Sequence, residues 1–252
     1  TKRKDLIESA DKIEKFLIES NKKTIGNNLN ESILNDTYSV FVERYDSGNG
    51  GFGTQPKFPS PQNIIFLLRY HKMTGNKTAL EMAEKTLINM RMGGIYDQLG
   101  FGFHRYSTDK EWLVPHFEKM LYDQAMLSIA YTEAYHLTKK DVYKKIAIEI
   151  LTYIKRDLTD SRGGFYSAED ADSEGEEGTF YIWSFEELNF LGKSEKDLSI
   201  DYFNIEDEGN YLDESTRKKN GKNIFHIKSL NNISDNVYEK IRTRLFEQRK
   251  KR

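Results

Sequence analysis

The sequence predicts an all-α domain, an incomplete ring of antiparallel helix hairpins (an incomplete α/α toroid) with short strands in its loops. Three observations predict it. The pattern Gly-Gly, apolar, then Gly or aromatic recurs at Gly50-Gly51-Phe52-Gly53, Gly93-Gly94-Ile95-Tyr96 and Gly163-Gly164-Phe165-Tyr166. Between successive copies lie paired stretches with apolar residues at helical spacing. The joints within those pairs also match: Tyr70-His71 precedes Thr74 and Asn76, and Tyr135-His136 precedes Thr138 and Asp141. Short joints between helices make antiparallel neighbours, the unit of a hairpin ring.

The elements follow in order. Region 1–46 carries two leading helices, from Leu6 to Ile18 and from Ile33 to Tyr45. Region 47–183 holds the hairpins. The first opens at Ser60-Pro61, an N-cap with proline at N1, and continues through Ile64, Ile65, Leu67 and Leu68 to a stop at Gly75. Asn76 caps its second helix, which carries Leu80, Ala83, Leu87 and Met90. The second hairpin is expected to open at Pro115, run to about Leu137 and restart after Asp141 with Ile146, Ile150 and Ile154. Phe165-Tyr166 and Thr179 to Trp183 read as short strands around a loop. In region 184–252 a capping box of Ser184 with Glu187 starts a short helix, and a last helix runs from Val237 to Gln248. Seven or eight helices form one partial domain over 1–252.

Composition narrows the function classes. The 15 Tyr, 15 Phe and 2 Trp supply burial enough for a folded chain of 252 residues. A net charge of −2 argues against a nucleic-acid binder. With no cysteine, disulfides, thiolate metal sites and cysteine nucleophiles are excluded. No apolar run reaches membrane-span length and no signal peptide opens the chain, so a cytoplasmic protein without membrane contact is expected.

Several long motifs occur in a fixed order: Gly50 to Pro59, Gly93 to Asp97, Gly102-Phe103-His104-Arg105-Tyr106-Ser107, Trp112 to Asp123, and Ser167 to Glu176. Together they resemble the YyaL-like family of spermatogenesis-associated, thioredoxin-domain-containing proteins, over roughly Ser47 to Arg252. The resemblance implies a toroid similar to N-acylglucosamine 2-epimerases, cellobiose epimerases and six-hairpin glycosidases, fused to a thioredoxin-like domain. It also implies that the thioredoxin-like domain and the remaining toroid helices lie outside this segment. Gln98 stands where the resemblance leads one to expect a histidine, and Phe101 where it leads one to expect a glycine.

The polar residues between Gly93 and Gly178 are the site candidates. With Pro115 at N1, His116 would lie in a first helical turn, where the helix dipole disfavours added positive charge. Asp123, seven residues on, would share its face, about 20° away and about 10 Å along the axis. Glu118, about 140° from Asp123, would support a neighbouring loop or line the ligand. Alternation along Phe103 to Tyr106 would set His104 and Tyr106 on one side and Phe103 and Arg105 on the other. His104, His116, Asp123 and Asp170 are thus the acid/base and orienting candidates. Arg105, Tyr106, Trp112, Glu118, Tyr166 and Asp172 are the ligand-lining ones. Each also has a structural alternative: a histidine bonded to backbone, a carboxylate bracing a loop, an aromatic ring in the core.

Asp170-Ala171-Asp172-Ser173-Glu174-Gly175 resembles half a calcium loop, but Tyr181 at the twelfth position breaks the pattern. His116-x-Glu118 is not a zinc motif. Neither metal nor cofactor is expected. Two function classes follow: a carbohydrate-active-type domain with acid/base chemistry on a small sugar or polyol (epimerase- or isomerase-like, or glycosidase-like), and a non-catalytic ligand-binding or regulatory module attached to a thioredoxin-like domain. A structural or interaction role is the third.

Overall fold

A computed structural model describes residues 2–22, 30–173, 175–212, 216, 218–231 and 236–252, and divides into two units, Thr1–Thr37 and Tyr38–Arg252. The first unit holds α1 (Lys2–Ser20) and the start of α2 (Ser32–Arg44). In α1 none of the described residues is buried, and Leu6, Ile13, Phe16 and Leu17 all lie exposed.

The second unit is built on α3 (Pro61–Thr74), α4 (Lys77–Met92), α5 (Leu121–Thr138) and α6 (Asp141–Asp157). The pairs α3–α4 and α5–α6 pack as hairpins, and α3 packs on α5. Pro61 enters α3 at N1, although Ser60 makes no side-chain cap. Gly75 ends α3 in a left-handed conformation, its N–H on the His71 carbonyl, as proline-in, glycine-out punctuation requires. Asn76 then caps α4 by accepting from the Ala79 N–H at 3.1 Å. Ile64, Leu67, Leu68, Ala83, Leu87, Met90, Ile146 and Ile150 all have zero exposure, so the helical spacing faces the core. Among the described residues no helix is long and apolar enough to cross a membrane.

The Gly-Gly turns gather at one end of these hairpins. Gly51 and Gly93 both lie against Trp112, where an added Cβ would come within 2.5 Å and 2.3 Å of it. The Gly163 turn follows α6, whose last turn sends Arg156 onto the Gly100 carbonyl at 2.6 Å. Glycine at 51 and 93 therefore admits the tryptophan that ties two of the turns together.

Among the described residues, eight two-residue strands pair antiparallel in the loops: β1 (Tyr106–Ser107) with β2 (Pro115–His116), β3 (Lys119–Met120) with β4 (Ala168–Glu169), β5 (Asp172–Ser173) with β6 (Glu176–Glu177), and β7 (Trp183–Ser184) with β8 (Lys222–Asn223). The structure here corrects the sequence reading. Pro115 does not open a helix: Pro115 to Met120 is extended, and α5 begins at Leu121. Backbone partners from elsewhere claim this stretch, the Glu118 carbonyl accepting from the Arg105 N–H at 2.8 Å and the Leu121 N–H binding the Ser167 carbonyl at 2.9 Å. The proposed helical wheel placing His116 and Asp123 on one face is thereby void, and no helix dipole acts at His116. Of the expected strands, Phe165 forms only an isolated bridge with Thr159, ahead of β4, and of Thr179 to Trp183 only Trp183 is in a strand, at the start of β7.

A 3-10 helix (Glu186–Phe190), α7 (Lys193–Phe203) and α8 (Asn236–Arg249) complete the unit. Half of the expected capping box forms, with the Ser184 N–H on Glu187 at 2.6 Å. Trp183, Phe203, Phe225, Tyr238 and Leu245 make the core beneath α7 and α8.

Candidate functional site

The extended stretch from Pro115 to Met120 divides the polar residues into two groups. Its burial alternates: Pro115, Phe117 and Lys119 are buried, while His116, Glu118 and Met120 are half-buried. Successive side chains of an extended chain point to opposite faces. Lys119 therefore looks into the domain and His116 with Glu118 look outward.

The inner face is an ionic network centred on Asp97, in which Arg249 Nε is left without a partner. Arg249 of α8 grips Asp97 with two hydrogen bonds, 2.8 and 2.7 Å, and Lys119 Nζ donates to the same carboxylate at 2.9 Å. The Leu99 and Gly100 N–H groups add bonds of 3.0 and 2.9 Å. Burial alone would raise this carboxyl, but Arg249 and Lys119 hold Asp97 well below the usual range. Glu169 accepts from the Tyr153 hydroxyl at 2.7 Å and from the Tyr181 hydroxyl. Burial opposes its ionisation too, yet Lys119 and the two hydroxyls keep Glu169 below its ordinary value.

His104 belongs to this inner side. It is 1% exposed, with edge-to-face contacts to Phe117 and Tyr181. Burial, reinforced by the Lys119 charge, pushes its pKa down to about 3. The neutral ring must donate from Nδ1 to the Phe117 carbonyl, 2.9 Å away, since a carbonyl only accepts. A cavity of about 520 Å³ opens on this network, with Tyr166 and Phe246 in its wall.

The outer face has unsatisfied groups. Arg105 Nη1 donates to Glu118 at 2.8 Å, but Arg105 Nε is buried without a protein partner. Asp123, in the first turn of α5, is 7% exposed, and its Oδ2 likewise has no partner. Burial pushes the Asp123 carboxyl up to about 7; Arg105 opposes the rise and Glu118 adds to it. His116 stacks on Tyr106 at 5.0 Å between ring centres, and Phe58 covers Tyr106 at 4.9 Å. The His116 Nδ1 lies 2.7 Å from Glu177, and its Nε2 3.8 Å from Glu118.

The structure thus brings Arg105, Tyr106, His116, Glu118 and Asp123 together and sets His104 behind them. The other candidates lie elsewhere. Trp112 has zero exposure and donates to the Asn49 carbonyl at 2.9 Å, so its rings serve the core. Tyr166 is 52% exposed at the inner cavity, bonded to Asp160. Asp170, just ahead of the β5–β6 hairpin, and Asp172, the first residue of β5, are both exposed, and Asp170 accepts from the Asp172 N–H. Sequence reasoning missed Glu177, Lys119, Asp97, Glu169 and Arg249. The one local signal was a lysine at a buried position of a period-2 stretch, which needs a carboxylate partner.

Gln98 has a structural role in place of the expected histidine. Its Nε2 donates to the Arg91 and Gly93 carbonyls at 3.0 Å each, and its Oε1 accepts from Arg91 at 2.6 Å. It thereby closes the C-terminus of α4. Phe101 adopts a φ of 70°, the left-handed conformation that a glycine would take without strain.

Fold and site together define an all-α, helix-hairpin protein with a carboxyl–imidazole–guanidinium cluster at the loop end of its hairpins. The chain is homologous to the proteins named spermatogenesis-associated protein 20. It is 46% identical over 170 residues to the human protein, covering 64% of this chain and 22% of that one. A Caenorhabditis elegans protein of uncharacterised function is 39% identical over 203 residues, 73% of this chain and 28% of its own length. The chain therefore spans about a fifth to a quarter of the curated relatives it matches. No family model matches. Among solved structures, a cellobiose 2-epimerase of Bacillus thermoamylovorans aligns over 56% of this chain and 42% of its own, at 13% identity and a TM-score of 0.49. A family 76 α-mannanase of Bacteroides thetaiotaomicron aligns over 62% and 45%, at 19% identity and a TM-score of 0.46.

Proposed function

We propose that the outer cluster binds an uncharged polyhydroxylated ligand, a sugar or polyol, and moves a proton on it, with Asp123 and His116 as the acid/base groups. The observation that carries this is the pair of buried orphans, Arg105 Nε and Asp123 Oδ2. The first needs an acceptor. The second accepts when ionised and donates when protonated, and Asp123 changes state near neutrality. A hydroxyl both donates and accepts, so a polyhydroxylated ligand that gains access to these two buried atoms can satisfy either one. A carboxylate or phosphate ligand could only accept, and it would meet the carboxylates of Glu118 and Glu177 beside it.

In this reading Arg105 holds a hydroxyl group, and Asp123 and His116 Nε2 exchange the proton. Tyr106, in contact with Phe58 and stacked with His116, holds the imidazole rather than stacking on the ligand. His104 supports the strand from behind. Proton transfer of the epimerase or isomerase type is the reaction class these groups serve, with glycoside hydrolysis next. The motif resemblance to the YyaL-like family, which implies a toroid similar to those of carbohydrate enzymes, supports the same ligand class. One observation favours a binding module without turnover: His104 is sealed, leaving a single accessible imidazole in the cluster.

Ligand-observed saturation-transfer NMR tests the proposal with the complete chain and its Arg105→Met variant. Neutral hexoses, disaccharides and polyols are expected to receive saturation from the chain and to lose it in the variant. Transfer only to sugar phosphates or sugar acids, or to nothing, would overturn it. Turnover of a bound sugar separates the enzyme from the module.

A further inference from the structure

His116 donates from Nδ1 into a carboxylate that reaches it from a separate hairpin, and we infer that this residue, Glu177, is the positioning group that sets which nitrogen of His116 is left free to take a proton. The inference deepens the acid/base reading of the outer cluster and rests on it for its function, but not for its geometry.

Three contacts fix the imidazole. Its plane is set by Tyr106, parallel to within 19° and itself covered by Phe58. Its backbone is set by the β1–β2 pairing, which places Tyr106 opposite His116. Its rotation about that plane is set by Glu177 Oε1, 2.7 Å from Nδ1. The same oxygen accepts the Phe117 backbone N–H at 3.1 Å, so Glu177 is itself held at the strand it serves. An ionised carboxylate only accepts, so Nδ1 carries a proton and, in the neutral ring, Nε2 carries the lone pair. Nε2 lies 3.8 Å from Glu118, beyond hydrogen-bond distance, and Glu118 is already engaged with Arg105 at 2.8 Å. Nε2 is therefore the nitrogen available to a ligand proton. A carboxylate behind a histidine that fixes its tautomer and stabilises its protonated form is the arrangement that makes an imidazole an effective base.

The hairpin that delivers Glu177 is built for close approach. Asp172 pairs with Glu177 across β5–β6, and the Gly178 N–H joins the base of the hairpin to the Ala171 carbonyl at 3.0 Å. Gly178 holds a φ of 77°, and a Cβ there would lie 2.5 Å from the Phe117 ring. Only glycine lets the hairpin sit against Phe117, next to His116 in the chain. The acidic run from Asp170 to Glu177 thus acquires a use: it carries the partner of His116.

Imidazole ¹⁵N chemical shifts of the complete chain test this at about pH 8, where an ordinary histidine is neutral. His116→Gln identifies the His116 signals among the five histidines. The wild type is expected to show Nδ1 protonated and Nε2 bare. Glu177→Gln keeps an acceptor oxygen and should retain this tautomer. Glu177→Ala should shift the population several-fold towards the Nε2-protonated form, while the His104 signals stay in place as the check on folding. An unchanged His116 tautomer in Glu177→Ala would overturn the inference, as would an Nε2-protonated ring in the wild type. Absence of any sugar binding would leave these shifts unaffected, so the two readings fail separately. Where a sugar is turned over, both Glu177 variants should lower kcat, by up to about 10⁴-fold as for the carboxylate behind a catalytic histidine, and a wild-type kcat in both would count against the role.

Discussion

Replacing Asp123 by asparagine should change how the stability of this protein depends on pH. Burial raises the folded-state pKa of this carboxyl from 3.8 to about 7. The folded state therefore holds a proton that the unfolded chain has released, and stability falls as pH rises through that window. The contribution is fully present below pH ~4 and lost above pH ~7. At 1.36 kcal/mol for each pH unit between those values, the loss is about 4 kcal/mol at most. For a chain of this size that corresponds to a melting-temperature difference of roughly 10 °C. An asparagine at this position cannot ionise, so any cost of its amide is the same at every pH, and the variant should gain on the wild type as pH rises from 4 to 8. Urea denaturation followed by circular dichroism at pH 4.5, 6 and 8 measures the gap. A difference between wild type and variant that does not move with pH would refute the argument, because the carboxyl would then be titrating alike in the folded and unfolded chains.

Three further outcomes follow from the buried groups. Arg249→Met strips the bidentate partner from a carboxylate with almost no exposure and should cost about 3 kcal/mol in urea denaturation; a loss under about 1 kcal/mol would show that Lys119 suffices. Gln98→His puts back the residue expected from the resemblance, yet a neutral imidazole offers one donor and one acceptor where Gln98 serves two carbonyls and a guanidinium. It should lower stability by about 1–3 kcal/mol, and a thermal melt equal to wild type would contradict that. His104 is held neutral down to about pH 3. The unfolded ring gains its proton near 6.5, so wild type should lose stability relative to His104→Asn as pH falls from 6.5 to 3, and a constant gap in acid titrations would disprove it.

The hairpins were legible because their signals are local. Pro61, Gly75 and Asn76 punctuate one pair within a few residues of the helix ends they control. The helical spacing of Ala83, Leu87 and Met90 needs no distant partner to be read. The stretch after Pro115 misled for the converse reason. Proline followed by His-Phe-Glu-Lys-Met-Leu-Tyr-Asp looks like a helix start, and the competing strand partner, Ala168-Glu169, lies about fifty residues on. Lys119 is buried against the Asp97 carboxylate, which Arg249 also binds from 152 residues away in sequence. Arg105, Tyr106, His116, Glu118 and Asp123 could be named from their chemistry and crowding. That Trp112 packs under Gly51 and Gly93, and that Glu177 rather than Asp170 reaches His116, depends on long-range contacts that no local pattern encodes.

The proton chemistry proposed for the outer cluster depends on the state of one carboxyl group. Titration of the Asp123 side-chain carbon by ¹³C NMR, in the complete chain from pH 3 to 9, reads it without reference to any ligand. A midpoint at about 7 is the result predicted from its burial beside Arg105 and Glu118. A midpoint near the ordinary 3.8 would mean that the carboxylate is solvated or already paired, and Asp123 could then neither share protons near neutrality nor wait, unpartnered, for a hydroxyl group.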